Sequence, residues 1–254
     1  MSRQVNSVVM LVRAELIRCC RIWMQSFIPP VITLTLYFLI FGKVLGGRIS
    51  IQGAPYVLFI APGLIMMSVL TASFAQGSFS IYGRKFTRSI DELLIAPISG
   101  VAVVSGVLCG ALFRSLVIAL LVTCVARIFT HIPVHHFFLL LYTFIMTGSL
   151  FGLVGMINGM WANSFDDVSW IPSFVITPLS YTGGVFYSVS RLPHFWRVLS
   201  HFNPVFYLIS AFRYAMLGIS DGHIGLTFIV IGLLSAALFA WTVYLYNHSP
   251  RLRY

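Results

Sequence analysis

Long apolar stretches alternate with short polar segments along the 254-residue chain. An α-helix needs about twenty apolar residues to cross the hydrocarbon core of a bilayer. Six stretches are long enough, and they predict transmembrane helices at these approximate positions: 27–46, 56–79, 101–126, 137–161, 168–187 and 224–246. The first and third contain one basic residue each, Lys43 and Arg114. The pattern therefore predicts an all-α membrane protein with six transmembrane helices.

A further apolar segment, 198–212, lies between the fifth and sixth predicted spans. It is too short to cross the bilayer, and it contains the pair Asn203-Pro204, which interrupts a helix. Both features favour a re-entrant or interfacial helix over a span. We therefore predict a re-entrant helical segment at 191–218, before the last span. Seven full spans is the alternative.

The segment before the first span, 5–23, has apolar residues at helical spacing and basic residues on the other side. The apolar stripe consists of Val5, Val8, Val9, Val12, Leu16, Cys19 and Trp23. The opposite side carries Arg3, Arg18 and Arg21. Because basic amphipathic helices lie in the headgroup region, this pattern predicts an N-terminal interfacial helix. An extended start to the first span is the alternative.

The composition agrees with a lipid environment, since 59% of the residues are hydrophobic and only 9% are charged. A soluble domain has about a quarter of its residues charged. The net charge of +10 would suggest nucleic acid in a soluble protein. Here the basic residues lie between the apolar stretches and near the chain ends, where they orient the protein and contact anionic lipid headgroups. We therefore expect membrane lipids, and no nucleic acid, as partners.

The positive-inside rule indicates an orientation. An even number of spans puts both termini on one side. A cytoplasmic location for both termini leaves more of the basic residues inside than outside. We therefore predict cytoplasmic termini.

The segment between the second and third predicted spans, 84–97, combines charged and apolar residues at helical spacing. Thr87 or Ser89 can cap a short helix there, and Asp91 and Glu92 fall in its early turns, where the helix dipole favours acids. A short charged helix with an exposed apolar face is suited to docking a soluble partner, whereas a solvated loop is the alternative. The predicted apolar face is Phe86, Ile90, Leu93 and Leu94. The flanking charged residues are Arg84, Lys85, Arg88, Asp91 and Glu92.

Arg114 lies near the middle of the third predicted span, where a charge costs at least a few kcal/mol, so it should pair or face a water-filled path. Its own span contains no acid. Either a role in a transport path or hydrogen bonds to backbone carbonyls at a subunit contact would fit. Gly106 and Gly110 can let another helix approach closely. The fourth span carries a similar stripe for helix packing, which consists of Gly148, Gly152, Gly155 and Gly159.

Two polar clusters could suggest a metal or proton site, but we interpret both as ordinary turns between helices. The turn 163–167 contains paired acids, which a helix cap explains. His131, His135 and His136 share one outer turn without a carboxylate. We therefore predict no metal site, and the four scattered cysteines predict no disulfide.

No nucleotide-binding or catalytic signature occurs in the sequence, including the G-x-x-x-x-G-K-[ST] loop. We therefore predict a chain that is not an enzyme and holds no cofactor of its own. Any ATPase that drives it must be a separate chain.

Four sequence pieces, taken in order, resemble the type-2 permease subunits of ABC exporters. They are FIPPVITLTLYFLIFG (27–42), FIAPGLIMMSV (59–69), RSIDELLIAPIS (88–99) and the long piece 178–218, which starts PLSYTGGVFY and ends FRYAMLG. The resemblance extends over nearly the whole chain. It implies a six-span subunit of a bacterial inner membrane exporter that pairs as a homodimer and binds two copies of a cytosolic ATPase, on which ATP and magnesium are expected.

The resemblance also assigns segments. It implies an interfacial helix at 5–23, a coupling helix at 85–96 that fits a groove on the ATPase, and short re-entrant helices at 192–199 and 204–217, which include Asn203, Pro204 and Arg213. Its members export glycans, lipids, drugs or other amphiphiles. A secondary transporter and a non-transporting membrane assembly subunit are the alternatives. The first would need acids within the spans, and Asp and Glu are absent from the predicted spans.

Overall fold

The computed structural model describes residues 2–41, 50–51, 53–130, 133–219 and 224–249. Its helices are α1 (Ser2–Arg21), α2 (Trp23–Ile40), α3 (Tyr56–Phe86), α4 (Ile90–Ile95), α5 (Gly100–Phe129), α6 (Phe137–Trp161), α7 (Phe165–Ile171), α8 (Thr177–Thr182), α9 (His194–His201), α10 (Pro204–Leu217) and α11 (Ile224–His248). Two short strands, β1 (Ser50–Ile51) and β2 (Ala54–Pro55), pair antiparallel. The described residues do not include the end of the first predicted span, which contains Lys43, or His131. The side chains of Arg3 and Val5 also lie outside the described part.

Five helices in the described part of the chain, α2, α3, α5, α6 and α11, are long and apolar enough to cross a membrane. The predicted all-α membrane fold is therefore confirmed. The fifth predicted span, 168–187, is instead occupied by α7, a π-helical turn (Pro172–Ile176) and α8, which follow one another directly. Pro172 and Pro178 each lack a backbone N–H, which explains why the regular bond pattern fails there. The count of six spans stays a prediction.

The central helix of the bundle is α3, of which 78% of the apolar window is buried, against 17% for α2 and for α11. It packs against α5, α6 and α10. The contact with α6 is so close that a side chain at Gly77 would collide with the Gly152 carbonyl, and one at Gly155 with the Phe74 carbonyl. The glycine stripe of α6 therefore serves helix packing, as predicted, and the contacts observed here lie within the chain.

The bundle has two distinct ends, which we name by the short elements found there. The α4 end holds α1, α4, the last turns of α3, α6 and α11, and the starts of α5 and α7; Gly100 at the start of α5 touches Asn247 in α11. The hairpin end holds the β1–β2 pair and the loop before α6, where the His136 N–H donates to the Ala215 carbonyl at 2.9 Å.

The predicted re-entrant segment, 191–218, contains the end of a 3-10 turn (Val189–Arg191), then α9 and α10. The 14 residues of α10 span about 21 Å at 1.5 Å per residue, which is less than the hydrocarbon core. Asn203 fixes its start, because its Oδ1 accepts from the Val205 N–H at 2.9 Å while its Nδ2 donates to the Leu179 carbonyl at 2.6 Å. Pro204 follows at the first helical position. The segment is thus two non-spanning helices, and its re-entrance stays a prediction.

Candidate functional site

The helix α4 is shorter than the helix predicted for 84–97. Arg84, Lys85 and Phe86 complete α3, and the chain turns at Arg88, whose φ of 57° lies in the left-handed region. A residue with this backbone conformation ends a right-handed helix. Ser89 stands at the N-cap position of α4, but its hydroxyl pairs with the Thr87 hydroxyl at 2.9 Å instead of capping the α4 backbone.

The face of α4 predicted for docking is largely turned toward the chain itself. Ile90 is only 2% exposed, and Leu93 and Leu94 pack on the same apolar cluster. A six-residue helix has little stability of its own, and α4 is held by packing on α3 and on this apolar cluster. Ile90 is therefore corrected from an exposed to an internal residue, whereas Leu93 and Leu94 are half-buried. The exposed residues of this segment are Phe86, Thr87, Arg88, Asp91, Glu92, Ile95 and Pro97, and Ile95 has 85% of its surface exposed.

The last turn of α3 also anchors neighbouring helices at the α4 end. The Lys85 Nζ donates to the Ala162 carbonyl at 2.8 Å and to the Met160 carbonyl at 3.3 Å, where the C-terminal end of α6 favours a cation. The Phe86 ring lies 5.0 Å from the Phe165 ring at the start of α7. The residues predicted as coupling residues thus divide between an anchoring group and an exposed group.

One of the paired acids of the turn 163–167, Asp167, takes part in a helix cap, as predicted. The Asp167 N–H donates to the Ser164 hydroxyl at 3.1 Å, and the Asp167 carboxylate accepts from the Asn163 and Ser164 N–H groups at 2.9 and 3.1 Å. These backbone donors hold the pKa of the Asp167 carboxyl below its ordinary value. No group of potential metal ligands was found within the described ranges.

Glu15, which was not predicted as a site residue, is the most buried acid among the described residues, with 1% of its surface exposed. Its carboxylate pairs with Arg18 at 2.7 Å and with Arg84 at 2.8 Å. It also accepts from the Ser80 hydroxyl at 2.6 Å and from the Gln76 amide at 3.0 Å. Four donors from α1 and α3 therefore compensate the burial of this charge.

The buried face of α1 runs through Leu11, Glu15 and Cys19, so it is rotated from the predicted stripe, in which Val9 is 59% exposed. This face packs on α5. A Cβ added at Gly106 would lie 2.8 Å from the Leu11 Cβ, and one at Gly110 would lie 2.8 Å from the Glu15 Cβ. The prediction that these glycines admit another helix is confirmed. Glu15 lies four residues before the buried Cys19, and that spacing was the available sequence signal.

Arg114 is linked to this acid through one side chain. Its Nη1 donates to the Gln76 Oε1 at 3.2 Å, and the Gln76 amide in turn donates to Glu15. The intramembrane arginine therefore finds its acid on another helix, through a glutamine. Arg84, Glu15, Gln76 and Arg114 form a polar chain that leads from the last turn of α3, beside α4, to the middle of α5. We call these four residues the polar chain.

Two connected hollows lie along the polar chain. The inner cavity, with a volume of about 930 Å³, is lined by α1, the start of α2 and the second half of α3. The apolar groove, of about 340 Å³, continues between α2 and α3 toward the hairpin end. Gln25, Ser26 and Arg114 line both of them. The arrangement joins the last turn of α3, next to α4, to a groove between two helices that are long and apolar enough to cross a membrane.

Arg213 in α10 is fully enclosed, with 2% of its surface exposed. Its Nη2 donates to the Gly184 carbonyl at 2.7 Å and its Nε to the Phe59 carbonyl at 3.3 Å, while the guanidinium lies 3.9 Å from the centre of the Phe59 ring. These contacts fasten α10 to the start of α3 and to the turn after α8. The geometry favours a structural role for Arg213.

Known proteins match this chain over most of its length. A family model for ABC-2 type transporters matches residues 6–217, which include the polar chain, α4 and the Asn203-Pro204 pair. The inner membrane transport permease YadH of Escherichia coli K12 is 46% identical over 232 residues, which cover 90% of this chain and 91% of that protein. Nodulation protein J of Rhizobium leguminosarum bv. viciae is 26% identical over 188 residues, 72% of this chain and 71% of that protein. The protein of the same name from Sinorhizobium fredii is 26% identical over 194 residues, 76% of this chain and 73% of that protein.

Proposed function

The chain belongs to the ABC-2 type transporter family and is a multi-pass membrane transport permease, and on that premise we propose that it is the membrane-embedded subunit of an ATP-driven exporter. It works as a homodimer with a separate cytosolic ATPase that carries ATP and magnesium. Its substrate is an amphiphile. The α4 end and both termini face the cytoplasm.

The exposed part of the α4 segment is the observation that supports this proposal. Ile95 has 85% of its surface exposed, in the same short helix as the exposed acids Asp91 and Glu92. Ile90 is buried and anchors this helix to the permease. A helix that is buried on one face and exposed on the other can transmit a displacement from a soluble partner to the bundle. An apolar residue bordered by acids suits a partner groove with an apolar floor and basic rim.

The polar chain provides a route for that displacement. Arg84 lies in the last turn of α3, just before α4. It is connected through Glu15 and Gln76 to Arg114 in α5. A displacement of α4 therefore changes the pairing of buried charges, which have few satisfactory arrangements. Such a network favours two discrete packings of the bundle over a continuous deformation. ATP binding by the partner would bias the equilibrium between them.

The test is the Ile95→Asp variant, reconstituted with the ATPase that copurifies with the wild-type permease. We expect it to abolish the stimulation of ATP hydrolysis, because a carboxylate is costly to bury against the apolar floor of the partner groove. The thermal unfolding midpoint of the permease alone should stay unchanged, since Ile95 packs little on its own chain. Leu93→Asp, by contrast, would destabilise the permease itself.

The matched control is Val134→Asp, which places the same charge on an exposed residue at the hairpin end. This variant should stimulate the ATPase as the wild type does. Normal stimulation by Ile95→Asp would contradict the docking assignment. Purification of the permease from its native membrane without any ATP-binding chain would instead favour a secondary transporter or an assembly subunit.

A further inference from the structure

The inner cavity carries a strong excess of positive charge. Four arginines, Arg18, Arg21, Arg84 and Arg114, line it together with one acid, Glu15. The carboxylate of Glu15 is already paired with Arg18 and Arg84. Within the described ranges, no carboxylate lies at ion-pair distance from Arg21 or Arg114. The cavity therefore attracts an anion.

Three of the side chains that line the same space contain a buried polar atom without a hydrogen-bond partner among the described residues. The Ser26 hydroxyl, the Arg84 Nε and the Arg114 Nε are buried and have no partner among the described residues. Ser26 itself is 2% exposed and stands where the inner cavity meets the apolar groove. Each buried donor left unpaired is unfavourable, so an oxygen acceptor placed at this junction would be stabilised.

The apolar groove begins at this junction. It runs along α2 from Ser26 to Tyr37, which is about 16 Å at 1.5 Å per residue, between Leu34 on one side and Leu64 and Met67 on the other. A free inorganic anion would leave this groove empty. An alkyl chain would fill it and gain about 0.8 kcal/mol for each buried methylene group.

From this juxtaposition we infer that the inner cavity and the apolar groove together bind a single-chain amphiphile with an anionic headgroup. The phosphate or carboxylate head lies against Arg114, Ser26 and Arg21, and the alkyl chain lies along α2. This inference rests on the proposed function and specifies the chemical class of its substrate. Arg114 is then a substrate-binding residue as well as the last member of the polar chain.

The experiment measures binding of radiolabelled dodecyl phosphate to the full-length permease in phosphatidylcholine nanodiscs, with empty nanodiscs subtracted. Unlabelled dodecyl phosphate should displace the probe, whereas dodecanol and inorganic phosphate should not. Arg114→Gln should weaken binding roughly tenfold or more, because a charge-assisted hydrogen bond is lost. Arg127→Gln is the matched control, since Arg127 is exposed on the same helix at the hairpin end.

A second variant tests the chain-binding part without touching a charge. Thr71 is exposed and lines the apolar groove, so Thr71→Trp should fold normally, fill the groove and weaken dodecyl phosphate binding severalfold. This variant also decides the matter if Arg114→Gln does not fold.

Displacement by dodecanol at the same concentration would contradict the requirement for an anionic headgroup. Displacement by inorganic phosphate would contradict the requirement for an alkyl chain. Unchanged binding in Thr71→Trp would overturn the assigned groove. If the wild type binds no dodecyl phosphate but still stimulates its ATPase, this inference fails and the proposed function stands. If the wild-type permease binds dodecyl phosphate but stimulates no ATPase, the proposed function fails and the binding site stands.

Discussion

At the scale of single residues, Glu15 has the most demanding environment among the described acids. A carboxylate removed from water is tolerated only when charged or polar donors replace its hydration shell. Glu15 has such donors from two helices, and two of them are the arginines Arg18 and Arg84. This side chain therefore both stabilises the contact of α1 with α3 and fixes the position of Arg84 next to α4.

Replacement of Glu15 by Gln tests that assignment. The amide keeps the shape of the side chain but leaves the two arginines without their counter-charge, so we expect a loss of about 3–5 kcal/mol in the free energy of unfolding. The thermal unfolding midpoint of the purified permease is the measurement. Glu92→Gln is the control, because Glu92 is exposed and should be insensitive. Equal midpoints for the two variants would mean that the buried charge pair contributes little.

At the scale of elements, the short pieces differ most from their predictions. The apolar spacing of the segment 84–97 predicted a docking helix, and a helix does form at Ile90–Ile95. Spacing alone, however, identifies an apolar face without saying what covers it. Here the permease buries Ile90, half-buries Leu93 and Leu94, and leaves Ile95 exposed.

The contact between α3 and α6 gives an element-scale prediction. Gly77→Ala should lower the thermal unfolding midpoint markedly, since the new methyl group meets the α6 backbone at Gly152 and overpacking of this kind costs about 1–3 kcal/mol. Gly83→Ala is the matched control on the same helix, because nothing lies within 4 Å of its added Cβ. That variant should be neutral or slightly stabilising. A similar loss in both variants would show that the close contact with Gly152 does not govern the effect, because helix propensity alone favours alanine over glycine.

At the scale of the whole molecule, the α4 end of the bundle is rich in basic residues. The α4 end carries Arg13, Arg18, Arg21, Arg84, Lys85 and Arg88 among the described residues. The positive-inside rule therefore favours a cytoplasmic α4 end. This is the orientation that docking of a cytosolic ATPase at Ile95 requires.

Single cysteines introduced into a variant without the four native ones can test the orientation. In intact cells, a membrane-impermeant maleimide should label Val134→Cys at the hairpin end but not Ile95→Cys at the α4 end. Both residues are exposed on the permease, so accessibility from the outside is the only variable. After the membrane is permeabilised, Ile95→Cys should become labelled as well. The reverse pattern would place both termini outside the cytoplasm.

The sequence by itself determined the membrane environment and the main helices, because burial in lipid imposes length and apolarity on each span independently of its neighbours. The α6 bounds were predicted as observed, and the packing role of Gly152 and Gly155 followed from spacing alone. The contacts within the polar chain could not be predicted in this way. Glu15, Gln76 and Arg114 are separated by 61 and 38 positions, and no local pattern relates them.

Only the tertiary structure decided which faces are covered and which charges meet. A periodic pattern repeats along one helix, whereas a contact depends on the rotation of two helices about their axes and on the register between them. The rotation of α1 placed Glu15 rather than Val9 against the bundle, and the packing of α4 left Ile95 rather than Leu93 exposed. The apolar stretches thus specify a membrane bundle, and its packing specifies which helix faces are exposed and which charges are paired.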